Sequence, residues 1–297
     1  MVNKLKQFKM KTIFITGATS GIGLVAACEL ASGGDLVLAT ARNPERGNDL
    51  LTHYRNNYPK GKGTIKIIIC DLSSFESIVK ACRQVGVENS CIDTLINNAG
   101  IWNFSYQVSQ NNIEETLHVN VLAPLLINYL LLDLLLKSKQ AKSIFTASAL
   151  HQGDVDFSRL ENKENFSGFT AYRQSKLEVI LLCRLLAGKL ESSNVGMYCQ
   201  HPGLVNTKLG RHASWVANLF FRLLGLPPEK GARTLIYLAQ ENAANLVTGE
   251  YYYKTKVKKI TTQSYDLIVA QKLLDTLEIY LKKYITKSSL IFETKTT

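Results

Sequence analysis

The chain has 297 residues, of which 46% are hydrophobic and 20% charged, enough apolar material for one large domain with a full core. Its net charge of +11 first suggests nucleic acid or an anionic membrane, but the basic residues are scattered without interleaved aromatics, and much of the excess lies within 4–11 and 254–295. Nucleic acid is therefore excluded as a partner, whereas peripheral contact with a membrane surface and self-association into a homo-oligomer stay open.

The opening MVNKLKQFKMK is basic but has no apolar h-region, so it does not read as a signal peptide. TIFITG, 12–17, is a β-branched and aromatic run that ends in glycine and leads into the helical pattern GIGLVAACELASGG. The junction is TGATSGIG, 16–23. Gly17 permits a tight turn, Gly21 lets backbone approach a pyrophosphate, and Gly23 allows close helix–strand packing, with Thr19, Ser20 and Ile22 completing the loop. Such a turn also occurs without a ligand, but its place between the first strand and first helix favours a dinucleotide. DLVLATAR, 35–42, is the second strand. A site for NAD wants a carboxylate at its end; here Ala41 precedes Arg42 and no acid follows until Glu45, which suits the 2′-phosphate of NADP(H). The competing reading of Arg42 is a solvated side chain at a strand end.

After a polar, partly helical stretch to about Tyr58, GTIKIIICDL, 63–72, reads as a third strand. Asp71, beside Leu72, is placed to hydrogen-bond an adenine amino group, to cap the helical SSFESIVKACRQV that follows, or to do both. CIDTLINNAG, 91–100, is a fourth strand whose end brings Asn98, Ala99 and Gly100 to the cofactor cleft. The apolar run 119–136 tempts a membrane assignment, but Asn120, Pro124, Asn128 and Asp133 interrupt it, and a helix buried against a sheet is the better reading. AKSIFTAS, 141–148, and NVGMYCQHPG, 194–203, supply the fifth and sixth strands, and GEYYYK, 249–254, offers one more. The six cysteines show no CxxC or metal spacing and sit mostly in apolar runs, as free thiols of a reducing, cytoplasmic setting would. Apolar strands alternating with helices predict an α/β fold: a Rossmann-type, doubly wound parallel sheet as a single domain over 10–255. A helical C-terminal extension, 256–297, is expected to follow, with its helix at about 264–284.

In such a sheet ligands sit at the carboxyl ends of the strands, and the reactive residue types collect there. Ser148 ends the fifth strand, and Tyr172 and Lys176 open the helix after it. Asn120 lies in the helix between the fourth and fifth strands, while HPGLVNT, 201–207, offers Pro202, Gly203, Val205 and Thr207 to the cofactor. Tyr-x-x-x-Lys occurs three times, at Tyr58/Lys62, Tyr172/Lys176 and Tyr252/Lys256, against roughly one expected by chance, so spacing alone does not choose. Only Tyr172 follows a strand-end serine. Taken singly, Ser148 reads equally as a turn residue and Asn120 as a satisfied buried amide. Together, TGATSGIG, NNAG, Asn120, Ser148, YRQSK and HPGLVNT resemble, in order and spacing, the short-chain dehydrogenase/reductase family over about residues 10–255. The 24 residues from Ser148 to Tyr172, the TARN after the second strand and the helical tail resemble its retinol dehydrogenase and WW-domain oxidoreductase branch. The sequence reads as having neither a WW module nor an N-terminal anchor, which departs from several of those relatives, and it has FTAS for the usual VSS.

The resemblance implies a nicotinamide cofactor and a Ser148–Tyr172–Lys176–Asn120 catalytic group, with Tyr172 and Lys176 also touching the cofactor. Lys176, one turn from Tyr172, is expected to lower the tyrosine pKa and to hold ribose hydroxyls, and Ser148 to steady the substrate oxygen. Asn120, by resemblance, would hold a water linking Lys176 to solvent. His151 reads as a polar loop residue and His201 as the residue that fixes the turn after the sixth strand; no residue cluster suggests a metal. Two segments, 149–170 and 207–228, are expected to roof the pocket. The second carries Trp215, Val216, Leu219, Phe220, Phe221, Leu223 and Leu224, either a helix packed on its own core or a hydrophobic lid touching a membrane. The expected function is NADP(H)-dependent hydride exchange with a lipophilic, retinoid- or steroid-like alcohol or carbonyl. The rivals are an NAD-linked oxidative alcohol dehydrogenase, against which Ala41 and Arg42 speak, and a non-catalytic dinucleotide-sensing or scaffold protein, which a missing catalytic residue would have favoured.

Overall fold

The strands coincide with the β-branched and aromatic runs: β1 (Thr12–Ile15), β2 (Leu36–Ala41), β3 (Thr64–Ile69), β4 (Thr94–Asn97), β5 (Ala141–Thr146), β6 (Val195–Gln200), β7 (Tyr251–Tyr253) and β8 (Lys256–Val257). These come from a computed structural model that describes residues 10–160, 163–203 and 226–285. The strands form one sheet in the order β3-β2-β1-β4-β5-β6-β7-β8. Every neighbouring pair is parallel except β7 and β8. β8 was not foreseen: Lys254 and Thr255 turn the chain back with φ of 49° and 63°, a two-residue hairpin turn built without the usual Asn-Gly pair.

Helices cover both faces: α1 (Gly21–Ser32), α2 (Pro44–Asn57), α3 (Phe75–Glu88), α4 (Glu115–Leu136), α5 (Gly168–Lys189), α6 (Pro228–Gln240) and α7 (Leu267–Leu281). Their starts follow local chemistry. Asn43, Ser74, Ser167 and Asp266 each accept a hydrogen bond from a backbone N–H of the first turn, satisfying groups that a helix leaves unpaired.

Alternate strand residues feed two cores, one on each face. Phe14 and Leu38 join a cluster with α3, α4, α5 and α7, while Ile13, Ile15, Val37 and Ala39 face α1 and α6. The tempting apolar run is indeed a core helix: α4 is long and apolar enough to cross a membrane, but 83% of that stretch is buried inside the fold. Its Asn128 accepts from Ser143 Oγ at 2.6 Å, and Ser143 Oγ in turn accepts from Asn97 at 3.3 Å, linking the two interior amides through one hydroxyl. On the other face Lys142, in β5, donates to the carbonyls of Leu238, Ala239 and Glu241 at 2.6–2.7 Å, capping the C-terminal end of α6. The strand order places β1 between β2 and β4, and the crevice between β1 and β4 is where the crossover direction reverses.

Candidate active site

The loop after β1 is shaped by its glycines. Gly17 and Gly21 take φ of 69° and 57°, a region that a side chain disfavours. A Cβ on Gly23 would lie 2.1 Å from Gly17 O and 2.5 Å from Asn98 Nδ2, so only glycine lets α1 come this close to the turn. Ser20 stands at the N-cap of α1 but makes no side-chain capping bond, and the first N–H groups of the helix face the loop unspent. Ile22 is buried in the core, which leaves its backbone for any ligand. Thr19 is half-buried beside it.

Across the crevice, Asn98 donates from Nδ2 to the carbonyls of Thr16 at 3.1 Å and Gly17 at 3.3 Å. Thr16 Oγ1 accepts from the N–H groups of Asn98 and Ala99, both at 3.1 Å. The Asn98 amide thus holds the glycine turn in shape. Thr16, inside the quoted motif, had not been singled out. At Gly100 a Cβ would sit 3.3 Å from both Asn120 Oδ1 and Lys176 Nζ, so glycine here lets the backbone approach both polar groups closely.

Arg42 follows β2 with its side chain 65% exposed, and its Nε lies 3.8 Å from Asp71 Oδ1. Such an exposed pair is weak and leaves most of the guanidinium for an anion. Asp71 does not cap α3; that role belongs to Ser74. Asp71 instead accepts from Ser73 N at 3.0 Å and Ser73 Oγ at 2.8 Å, a turn one step ahead of the helix. Its Oδ2 accepts from Gln110 at 3.2 Å. Leu72 packs against the core. Pro202 and Gly203 follow β6, with Gly203 at φ 87°, and His201 Nδ1 accepts the Gly203 N–H at 3.0 Å, fixing this turn. Val205 and Thr207, with the roofing aromatics from Trp215 to Leu224, lie outside the described residues.

The four residues expected to react come together. Ser148 lies two residues beyond β5 and hydrogen-bonds Tyr172, which with Lys176 occupies the first turns of α5. Tyr172 is 6% exposed and Lys176 4%. Lys176 Nζ donates to Thr146 O at 2.9 Å and stands 5.7 Å from the Tyr172 ring centroid. The expectation that Lys176 lowers the tyrosine pKa is not met in this site. Burial pushes the Tyr172 phenol up to about 12, only partly offset by the Ser148 hydrogen bond; burial likewise pushes Lys176 down to about 8. Desolvation outweighs charge here because the ammonium meets the ring face rather than the hydroxyl.

Asn120 sits in a π turn, His118–Leu122, inside α4, a distortion that recurs at functional sites and that apolar periodicity did not reveal. Its Nδ2 donates to Ile101 O at 2.9 Å and Ser175 Oγ at 3.0 Å, and its Oδ1 accepts from Ile101 N at 2.8 Å. The amide therefore ties the loop after β4 to α5, one donation going to each, and only Oδ1 keeps a free lone pair for a water. A Cβ on Gly168 would lie 2.0 Å from Asn103 O, so this glycine lets that same loop close on the start of α5. The contact brings Trp102 parallel to Tyr172, centroids 4.6 Å apart and planes 10° from each other, with Phe104 and Phe169 beside it. Sequence reasoning missed Trp102, because nothing local ties residue 102 to residue 172. His151, expected as a polar loop residue, is 7% exposed.

The sequence profile of the family described as short chain dehydrogenase matches residues 11–215. The chain belongs to the short-chain dehydrogenase family. Within it, the resemblance is to the retinol dehydrogenase branch: human retinol dehydrogenase 14 is 33% identical over 91% of this chain and 85% of its own length. Among solved structures, an uncharacterized protein from Mycobacterium paratuberculosis superposes with a TM-score of 0.74 at 24% identity, covering 93% of this chain and 94% of that one. The RhlG/NADP active-site complex of Pseudomonas aeruginosa gives 0.64 at 25% identity over 81% and 93%. This dehydrogenase is accordingly a dinucleotide-dependent oxidoreductase acting on alcohols or carbonyls, with a Rossmann-type single domain. The glycine loop, the uncapped start of α1 and the Lys176 and Asn120 groups gathered at Gly100 all fit such a cofactor.

Proposed function

We propose that the chain is an NADP(H)-dependent oxidoreductase that exchanges hydride with lipophilic carbonyls and alcohols, retinoid- or steroid-like in character. The observation that carries this reading is the buried Tyr172 phenol, hydrogen-bonded to Ser148 and held protonated well above neutral pH. A protonated phenol is a donor: it suits delivery of a proton to a developing alkoxide, and as phenolate the same group would take the proton back in the reverse reaction. The nicotinamide, when bound, supplies the hydride. Ser148 Oγ accepts the Leu150 N–H at 3.1 Å and is hydrogen-bonded to Tyr172, so a substrate oxygen set between the two hydroxyls would have its developing charge steadied by both. Lys176 Nζ and Asn120 Oδ1 both lie close to the Gly100 backbone, the position from which the lysine would hold a ribose hydroxyl and the Asn120 Oδ1 a water on the way to solvent. Arg42, largely exposed and only loosely paired with Asp71, favours a 2′-phosphate over a bare ribose; RhlG, a relative in fold, carries NADP. The aromatic group at Trp102, Phe104 and Phe169, and relatives named retinol dehydrogenases, support an apolar substrate.

A panel of aldehydes and ketones assayed in parallel with NADPH and NADH tests this reading. Turnover should require NADPH, fall at least about 10³-fold in Tyr172→Phe with cofactor affinity retained, and lose its preference for NADPH in Arg42→Ala. Full activity of Tyr172→Phe, or an unchanged coenzyme preference without Arg42, refutes the corresponding assignment.

A further inference from the structure

Ser148 is gripped at its carbonyl as well as at its hydroxyl. Its carbonyl oxygen accepts two hydrogen bonds, from His151 Nδ1 at 2.7 Å and from Tyr251 Oη at 3.1 Å. A carbonyl only accepts, so Nδ1 carries the His151 proton. Nε2 is then a bare, buried lone pair with no hydrogen-bond partner among the described residues, and burial keeps the ring neutral. Tyr251 comes from β7, 103 residues further along the chain, and is 1% exposed. Its ring lies 5.4 Å from that of His151 and stacks on His201 at 6.0 Å, whose Nδ1 anchors the turn at Gly203. The strand near the far edge of the sheet is thus tied to the peptide that leaves Ser148.

We propose that His151 and Tyr251 are a positioning pair for the Ser148 hydroxyl. Together they occupy both lone pairs of the carbonyl and set the plane of the Ser148–Ala149 peptide. That plane directs the chain to Leu150, whose N–H holds Ser148 Oγ, and Oγ is in turn bonded to Tyr172. Neither His151 nor Tyr251 is placed on substrate or cofactor; they act through Ser148, and the inference rests on the catalytic reading of Ser148 and Tyr172 above. A misplacement of about 1 Å at a reacting group costs about 100-fold, so losing one of two clamps should cost about tenfold.

The test is steady-state carbonyl reduction by the full chain with NADPH, alongside NADPH binding by fluorescence. Tyr251→Phe and His151→Leu should each lower kcat about tenfold while KM and the NADPH Kd stay within about twofold. His151→Asn, whose amide reaches the same carbonyl, should recover most of the loss. In a Ser148→Ala background, Tyr251→Phe should cause no further fall in kcat, which a merely structural role would not reproduce. Unchanged kcat in Tyr251→Phe and His151→Leu, loss of cofactor binding in step with kcat, or an Asn variant as poor as Leu overturns the proposal. If Tyr251→Phe does not fold, the two His151 variants decide the matter alone. A wild type without turnover, or a fully active Tyr172→Phe, would instead refute the catalytic reading itself.

Discussion

Tyr172 and Lys176 sit one helical turn apart with both side chains buried, so each is desolvated before it feels the other. Their Tyr-x-x-x-Lys spacing was legible in the sequence, and so was the serine before them, because all three belong to local motifs. The direction of the tyrosine shift was not legible, since it depends on how deeply α5 is covered and on which part of the ring the ammonium meets. The consequence for pH follows from the signs. The proposed reduction would need Tyr172 protonated, a condition that burial extends to about pH 12, whereas the Lys176 ammonium is present below about pH 8 and lost above it. The kcat/KM for NADPH-dependent reduction should therefore be level near neutrality and fall as pH rises through about 8. Lys176→Arg, which keeps its charge, should move that limb upward even if the maximal rate is lower. A profile level to about pH 10 would remove Lys176 from the proton balance.

Strands and most helices were readable as elements because their signals are local: β-branched runs, and Asn, Ser or Asp at helix starts. Two features escaped for the same reason. The π turn at His118–Leu122 has the composition of any apolar helix, and β8 exists only because β7 offers it an edge. The junction of β1 and α1 tests whether glycine chemistry was read correctly. In Gly23→Ala the new methyl would meet the backbone oxygen of Gly17 at 2.1 Å, so the turn must open. NADPH affinity should fall at least about tenfold, with melting several degrees lower and the far-UV spectrum kept. Unaltered affinity would show that the loop is not the phosphate cradle.

At the scale of the whole molecule, the C-terminal extension is not an appendage. Leu273, Leu274, Leu277 and Leu281 are at most 1% exposed and share a core with Leu177, Ile180 and Leu181 of α5, the helix that carries Tyr172 and Lys176. Leu277→Ala should cost about 2–5 kcal/mol, read as a lower midpoint in urea, and removal of the chain from 256 onward should leave α5 without its cover and the protein insoluble. A truncated chain that folds and turns over would show that the division at 255 is a true boundary. The sequence by itself determined the α/β alternation and the glycine loop, and it singled out Ser148, Tyr172, Lys176 and Asn120 as the candidate group, because period, turn chemistry and order along the chain are one-dimensional properties. Only the tertiary structure decided that Trp102 lies on Tyr172, that Tyr251 and His151 grip Ser148, and that burial rather than Lys176 governs the tyrosine proton. Each of those depends on which distant segments the sheet order brings within a few ångströms, and on how much water that packing removes.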